Sequence, residues 1–170
     1  MKRLAHAVIL LLLLAGCATT ERSKTPTFDK TAKWVLLPME NHTETPQAGL
    51  RFEAITEAIL RAHGLTALEK YPVTLSNDSL FEPADAKLVA SAVSWAQQAG
   101  AQYAVTGAVN EWRYKTGVDG EPAVGVTLKV IDVQTQQVLW SAAGARTGWG
   151  REAVSAVAQK LIENLTRTLR

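Results

Sequence analysis

The chain has one cysteine, three histidines and little aromatic surface (three Phe, three Tyr, five Trp). With a single thiol it can close no internal disulfide. The few histidines are scattered: His6 lies near the start, and His42 and His63 are far apart in sequence. Clustered Cys, His and carboxylate ligands of the kind that hold zinc are therefore missing. So are a G-x-S-x-G elbow, an H-E-x-x-H helix and a Gly-rich phosphate loop after a strand. Missing catalytic sets predict a non-enzymatic role. His42, flanked by Glu40 and Glu44, is expected to be a solvated loop residue. His63, just before Gly64, is expected to favour a helix C-terminus.

No apolar run is long enough to span a bilayer. The longest, Leu4 to Ala15, holds about twelve residues where a spanning helix needs about 20. Preceded by Lys2 and Arg3, it has the layout of an export signal. It ends in Leu14-Ala15-Gly16-Cys17, which resembles the bacterial lipobox. Residues 1–16 are thus expected to be cleaved, and Cys17 to carry a diacylglycerol thioether and an N-acyl chain. No other cofactor is expected. One acyl chain holds only marginally and several hold firmly. Ala18, rather than Asp, after the lipidated residue points to the outer membrane.

Charge of one sign is also lacking. The full chain has 18 basic and 16 acidic residues, and discarding Lys2 and Arg3 makes the two equal. A neutral mature chain does not offer the basic field that nucleic acid requires. An apolar share of 47% is enough for a packed core, and residues 17–170 suit one domain.

Residues 17–32 are polar and without apolar period, and are expected to be a lipidated tether reaching at most about 50 Å. Residues 33–170 form the periplasmic domain. Trp34-Val35-Leu36-Leu37 reads as a buried strand. Thr45 and Pro46 are expected to open a helix over Phe52, Ile55 and Ile59, with Gly64 as its stop. Val73–Leu75 is expected to be a short strand, and Pro83 to open a helix carrying Leu88, Ala92 and Trp95. Three strands follow: from Tyr103 to about Lys115, Val124–Val130, and from Val138. Short turns make them an antiparallel meander. A helix from about Arg151 to Leu169 closes the chain. The predicted fold class is α/β: a three-layer sandwich with a mixed β-sheet, a C-terminal antiparallel meander and about three flanking helices.

Two local features suggest surfaces rather than chemistry. Trp34, Trp95, Trp112 and Trp140 fall in strands or on an apolar helix face and are expected in the core. Trp149 lies between Gly148 and Gly150, with no rigid element to pack within. It is either a plug for the last helix or an amphipathic ring at a membrane interface. Asp119 and Glu121 share a hairpin tip; repeated around a ring of identical subunits they would make a collective negative field.

The lipobox, Trp34-Val35-Leu36-Leu37-Pro38-Met39-Glu40-Asn41, Tyr103-Ala104-Val105-Thr106-Gly107, Val130-Ile131-Asp132-Val133 and Val138-Leu139-Trp140-Ser141 together resemble the PelC family of outer-membrane lipoproteins of Pel exopolysaccharide export. Similar strand patterns occur in curli-secretion lipoproteins of the CsgG kind, in TolB N-terminal domains and in lipoprotein activators of penicillin-binding proteins. The PelC resemblance implies a dodecameric ring on the periplasmic leaflet, with Trp149 facing the membrane. It also implies a negative inner surface that guides a cationic polysaccharide to the outer-membrane porin PelB. Asp119 and Glu121 as lumen carboxylates come from the hairpin pattern, not from a family motif. The competing readings are a module that activates a cell-wall synthase and a curli-secretion-like pore component. The lipid assignment is tested first: the native chain should incorporate radiolabelled palmitate, and Cys17→Ser should abolish both labelling and membrane retention.

Overall fold

The computed structural model describes residues 18–72, 86–117 and 120–169. Its strands are β1 (Ala18–Arg22), β2 (Trp34–Asn41), β3 (Leu68–Lys70), β4 (Tyr103–Tyr114), β5 (Pro122–Asp132) and β6 (Val138–Thr147). Its helices are α1 (Ala48–Ala62), α2 (Ala86–Gln98) and α3 (Val154–Thr166), the last followed by a single 3-10 turn at Arg167–Leu169. The six strands form one mixed sheet in the order β1-β6-β5-β4-β2-β3. β2 runs parallel to β3 and β4, while β4, β5, β6 and β1 are successively antiparallel. The meander and the three-layer α/β class follow the sequence pattern.

Helices lie on both faces, but unequally. α1 and α3 cover one face, packing on Trp34, Leu36, Val105, Val126, Leu128 and Trp140. α2 covers the other only at the β2 end, where Ala92 and Ala96 meet Val35, Leu37 and Ala104. β2 is thus buried on both sides, which is why it reads as an unbroken apolar run. Among the described residues, β5 joins the α2-side cluster only at Ile131, and its stretch through Thr127 and Lys129 is left open on that side. Val124, Val126, Leu128 and Val130 face the larger core, and Thr127 and Lys129 between them alternate outward. Trp34, Trp112 and Trp140 are buried as expected, and Trp95 packs half-buried against Tyr71.

Several expectations are corrected. The first is the tether. Ala18–Arg22 is a strand paired with β6, from Ala18↔Arg146 to Arg22↔Ala142, and Ser23 N–H continues the ladder to Ser141 O at 2.8 Å. Arg22 donates to the Asn164 and Leu165 carbonyls at 2.7 and 3.2 Å, satisfying acceptors at the end of α3. Farther on, Phe28 stacks edge-on against Trp34 and Tyr103, each at 5.3 Å. A polar stretch without apolar period can still be ordered when its backbone completes a sheet edge, and periodicity is blind to that bonding.

The second is the start of α1. Its N-cap is Gln47, left-handed at φ 59°, with no side-chain cap. The Thr45 hydroxyl instead donates to the Trp112 carbonyl and ties the loop to β4. Gly49 lets α1 approach closely, since a Cβ there would fall 2.5 Å from Met39 O. The expected stop at Gly64 is found at φ +94°. α3 begins at Val154 rather than Arg151. The short strand after α1 is β3, Leu68–Lys70; the expected Val73–Leu75 strand and the helix start at Pro83 lie outside the described residues.

Glu53 on α1 is 5% exposed and ion-paired with Lys70 of β3 at 2.8 Å. Burial raises its carboxyl above the ordinary range, against the opposing pull of Lys70 and a hydrogen bond from the Met39 backbone. A carboxyl raised in the folded state binds its proton more tightly there than when unfolded. Its contribution is full below the unfolded value near 4.3 and is lost as pH rises through the folded value. Asp29, Asp132 and Glu152 have the opposite slope. Each is lowered by hydrogen bonds, foremost from the Thr31 side chain, the Thr135 backbone and the Lys160 side chain. Urea unfolding of the native chain and Glu53→Gln between pH 4 and 8 should isolate the Glu53 term. The native chain should lose stability relative to the variant as pH rises; a pH-independent difference would refute the assignment.

Candidate functional site

Two surfaces stand out, at the free end of the meander and across its uncovered face. The end is built by β1, the β4–β5 hairpin and the β6–α3 junction. Ala18 sits opposite Arg146, and Thr147 opposite Ala123. Gly148 N–H then donates to Pro122 O at 2.9 Å, fastening the junction to the hairpin. A Cβ at Gly148 would meet Glu152 Oε2 and Val157 Cγ2 at 2.5 Å, so the close approach requires glycine there.

Glu152 organises this junction. It accepts from Lys160 Nζ at 2.5 Å and from Trp149 N–H at 3.4 Å, and its own N–H donates to Trp149 O at 2.8 Å. The hydrogen bond from Lys160 lowers its carboxyl first; the Trp149 N–H and the charges of Lys160 and Arg146 add to this. The Trp149 backbone is therefore fixed while its side chain stays 59% exposed. The ring projects outward rather than plugging the start of α3. Tyr114 ends β4 nearby, 53% exposed, with its hydroxyl donating to Glu152 O at 3.3 Å. Sequence reading missed Tyr114, because strand alternation gives no sign that the β6–α3 junction folds back beside it.

Cys17 and Asp119 lie outside the described residues. Cys17 is nevertheless peptide-bonded to Ala18, and Ala18 pairs with Arg146, three positions before Trp149. Glu121, half-buried, faces Lys115 Nζ at 3.4 Å, so its charge has a local partner. His42 bonds to Glu40 at 2.9 Å in an exposed loop. Among the described residues no three His, Cys, Asp or Glu side chains gather as a metal site would require. Among them, too, no helix is long and apolar enough to cross a membrane.

The second surface is a groove of about 1050 Å³ on the face that α2 leaves open. Gly125, Ala143 and Ala145 form its shallow floor, and the Thr43–Pro46 loop is one wall. A Cβ at Gly125 would lie 3.4 Å from Glu111 Cβ and 4.0 Å from Ala145 Cβ, so the three share this face. Glu21 and Glu44 border it, and neither has an ion-pair partner among the described residues.

Comparison with known proteins places the chain in a family. The model of the LpoB family, a peptidoglycan-synthase activator, matches residues 54–145. The structure of the PelC dodecamer from Paraburkholderia phytofirmans is 40% identical, covers 90% of this chain and 97% of its own, and superposes with a TM-score of 0.76. A lipoprotein from Neisseria meningitidis is 14% identical over 81% of this chain and 97% of its own, with a TM-score of 0.56, and shares the fold. No match was found among curated protein sequences. With that identity over nearly its whole length, the chain is a PelC-like lipoprotein and belongs to the PelC family.

Proposed function

We propose that this chain is a non-enzymatic, lipid-anchored subunit of a ring on the periplasmic leaflet of the outer membrane. The ring passes a cationic exopolysaccharide toward a porin of the PelB kind. The observation that carries this reading is the Ala18↔Arg146 pairing. It sets the residue that follows Cys17 beside the junction that displays Trp149 and Tyr114. Acyl chains on Cys17 and two amphipathic rings would then enter one bilayer surface from one end of the domain. Assembly is supported by the relative at 40% identity, which is a dodecamer.

Carboxylates at the hairpin tip serve the polymer in this reading. Asp119 and Glu121 recur once per subunit, and a ring sums their field although each tip is weak alone. Lys115 beside Glu121 tempers that field locally. The runner-up is activation of a cell-wall synthase, favoured by the LpoB-family match over residues 54–145. Against it stands the docking of β1: residues 18–22 pair with β6 instead of belonging to a free tether.

Trp149→Ala decides the membrane contact. The variant should fold normally, release from outer-membrane vesicles at lower salt or detergent, and reduce polymer secretion several-fold. Secretion and retention at native levels would remove Trp149 from the site. A pull-down that recovers a penicillin-binding protein instead of an export porin would favour the second reading.

A further inference from the structure

Resting on the ring reading above, we infer how one subunit holds the next: the outer face of α1 of one copy seats in the open sheet groove of its neighbour. The two surfaces lie on opposite faces of the sheet. α1 packs inward through Phe52 and Leu60 on the face shared with α3, whereas the groove lies on the other face. A contact joining two different patches of identical chains is head-to-tail, and such contacts close into rings when the rotation closes.

The shapes correspond. Leu50, Arg51, Ala54 and Ala58 share the outer side of α1 by their three- and four-residue spacing, and all are exposed. Leu50, at 49%, is the large apolar side chain this helix leaves in solvent. Beyond Leu50 and Arg51, Ala54 and Ala58 leave the helix surface shallow. The groove floor of Gly125, Ala143 and Ala145 is likewise free of bulk, and its volume of about 1050 Å³ admits a helix face.

The charges correspond as well. Arg51 has no ion-pair partner among the described residues, whereas Arg61 on the same helix is taken by Glu57 at 3.0 Å. Glu21 and Glu44 beside the groove are equally unpaired, while Glu111 is taken by Arg113 at 3.0 Å. An unpaired guanidinium on one surface and two unpaired carboxylates on the other fix orientation and speed encounter. A two-fold pairing of groove with groove would instead bring Glu21 and Glu44 against their own copies.

The test uses the mature lipidated chain in detergent, read by native mass spectrometry. Ala54→Arg blocks the helix face and Ala145→Arg blocks the groove; both positions are exposed, and melting curves check that each variant folds. The native chain should form a closed ring and each variant alone single chains. An equal mixture should give a complex of one copy of each, because one helix face and one groove remain intact between them. A second pair of variants reads charge alone. Arg51→Glu should raise the concentration for half-assembly at least about tenfold, and adding Glu21→Arg and Glu44→Arg in the same chain should recover it. Rings formed by either arginine variant alone, or a mixture without the mixed pair, would overturn the inference while leaving the ring reading intact. A native chain that stays single at high concentration would overturn the ring reading itself.

Discussion

Backbone pairing between β1 and β6 is the contact on which the geometry of the chain's free end depends. It begins at the first described residue and runs without a break from Ala18 to Arg22. Beyond it, Arg22 locks onto the last carbonyls of α3 and Phe28 onto Trp34 and Tyr103. An N-terminal segment held this way transmits the position of its first residue to the sheet. A flexible linker of the same length would leave that residue free over tens of ångströms.

Unequal covering of the sheet is the second constraint. Two helices close one face along most of its width, and one helix closes only the parallel end of the other. The meander therefore keeps an open face of small and polar residues. Small side chains there cost little when wet and leave room when covered. Junction chemistry at the free end has a similar economy. A single carboxylate, Glu152, fixes the backbone of Trp149, holds Lys160 and presents its carbonyl to Tyr114, so two aromatic rings are exposed on a rigid support. Gly148 admits the approach that makes this possible.

Much of this was legible from residue order. Period-two alternation in Val124–Val130 named the strand. The unbroken run Trp34–Leu37 named a buried strand, and Gly64 named the end of α1. Local signals failed where long-range bonds prevailed. Thr45 has the residue type of a helix cap, but its hydroxyl is engaged by the Trp112 carbonyl on β4. Residues 18–22 lack any apolar period because their order comes from ladder hydrogen bonds, which every side chain permits. Tyr114 looked like an ordinary strand end, because its neighbour Glu152 is remote in sequence.

By itself the sequence determined the sandwich class, the meander, the core tryptophans and the likeness to PelC, all carried by local periodicity or by motifs. It also singled out Cys17 and Trp149 as unusual, one by its flanking small residues and one by its flanking glycines. Only the tertiary structure decided that β1 docks, that Trp149 projects outward beside Tyr114, and that among the described residues one sheet face is left open over the meander. Each of these depends on which distant segments meet, and that is set by backbone pairing and helix coverage rather than by any neighbouring residue.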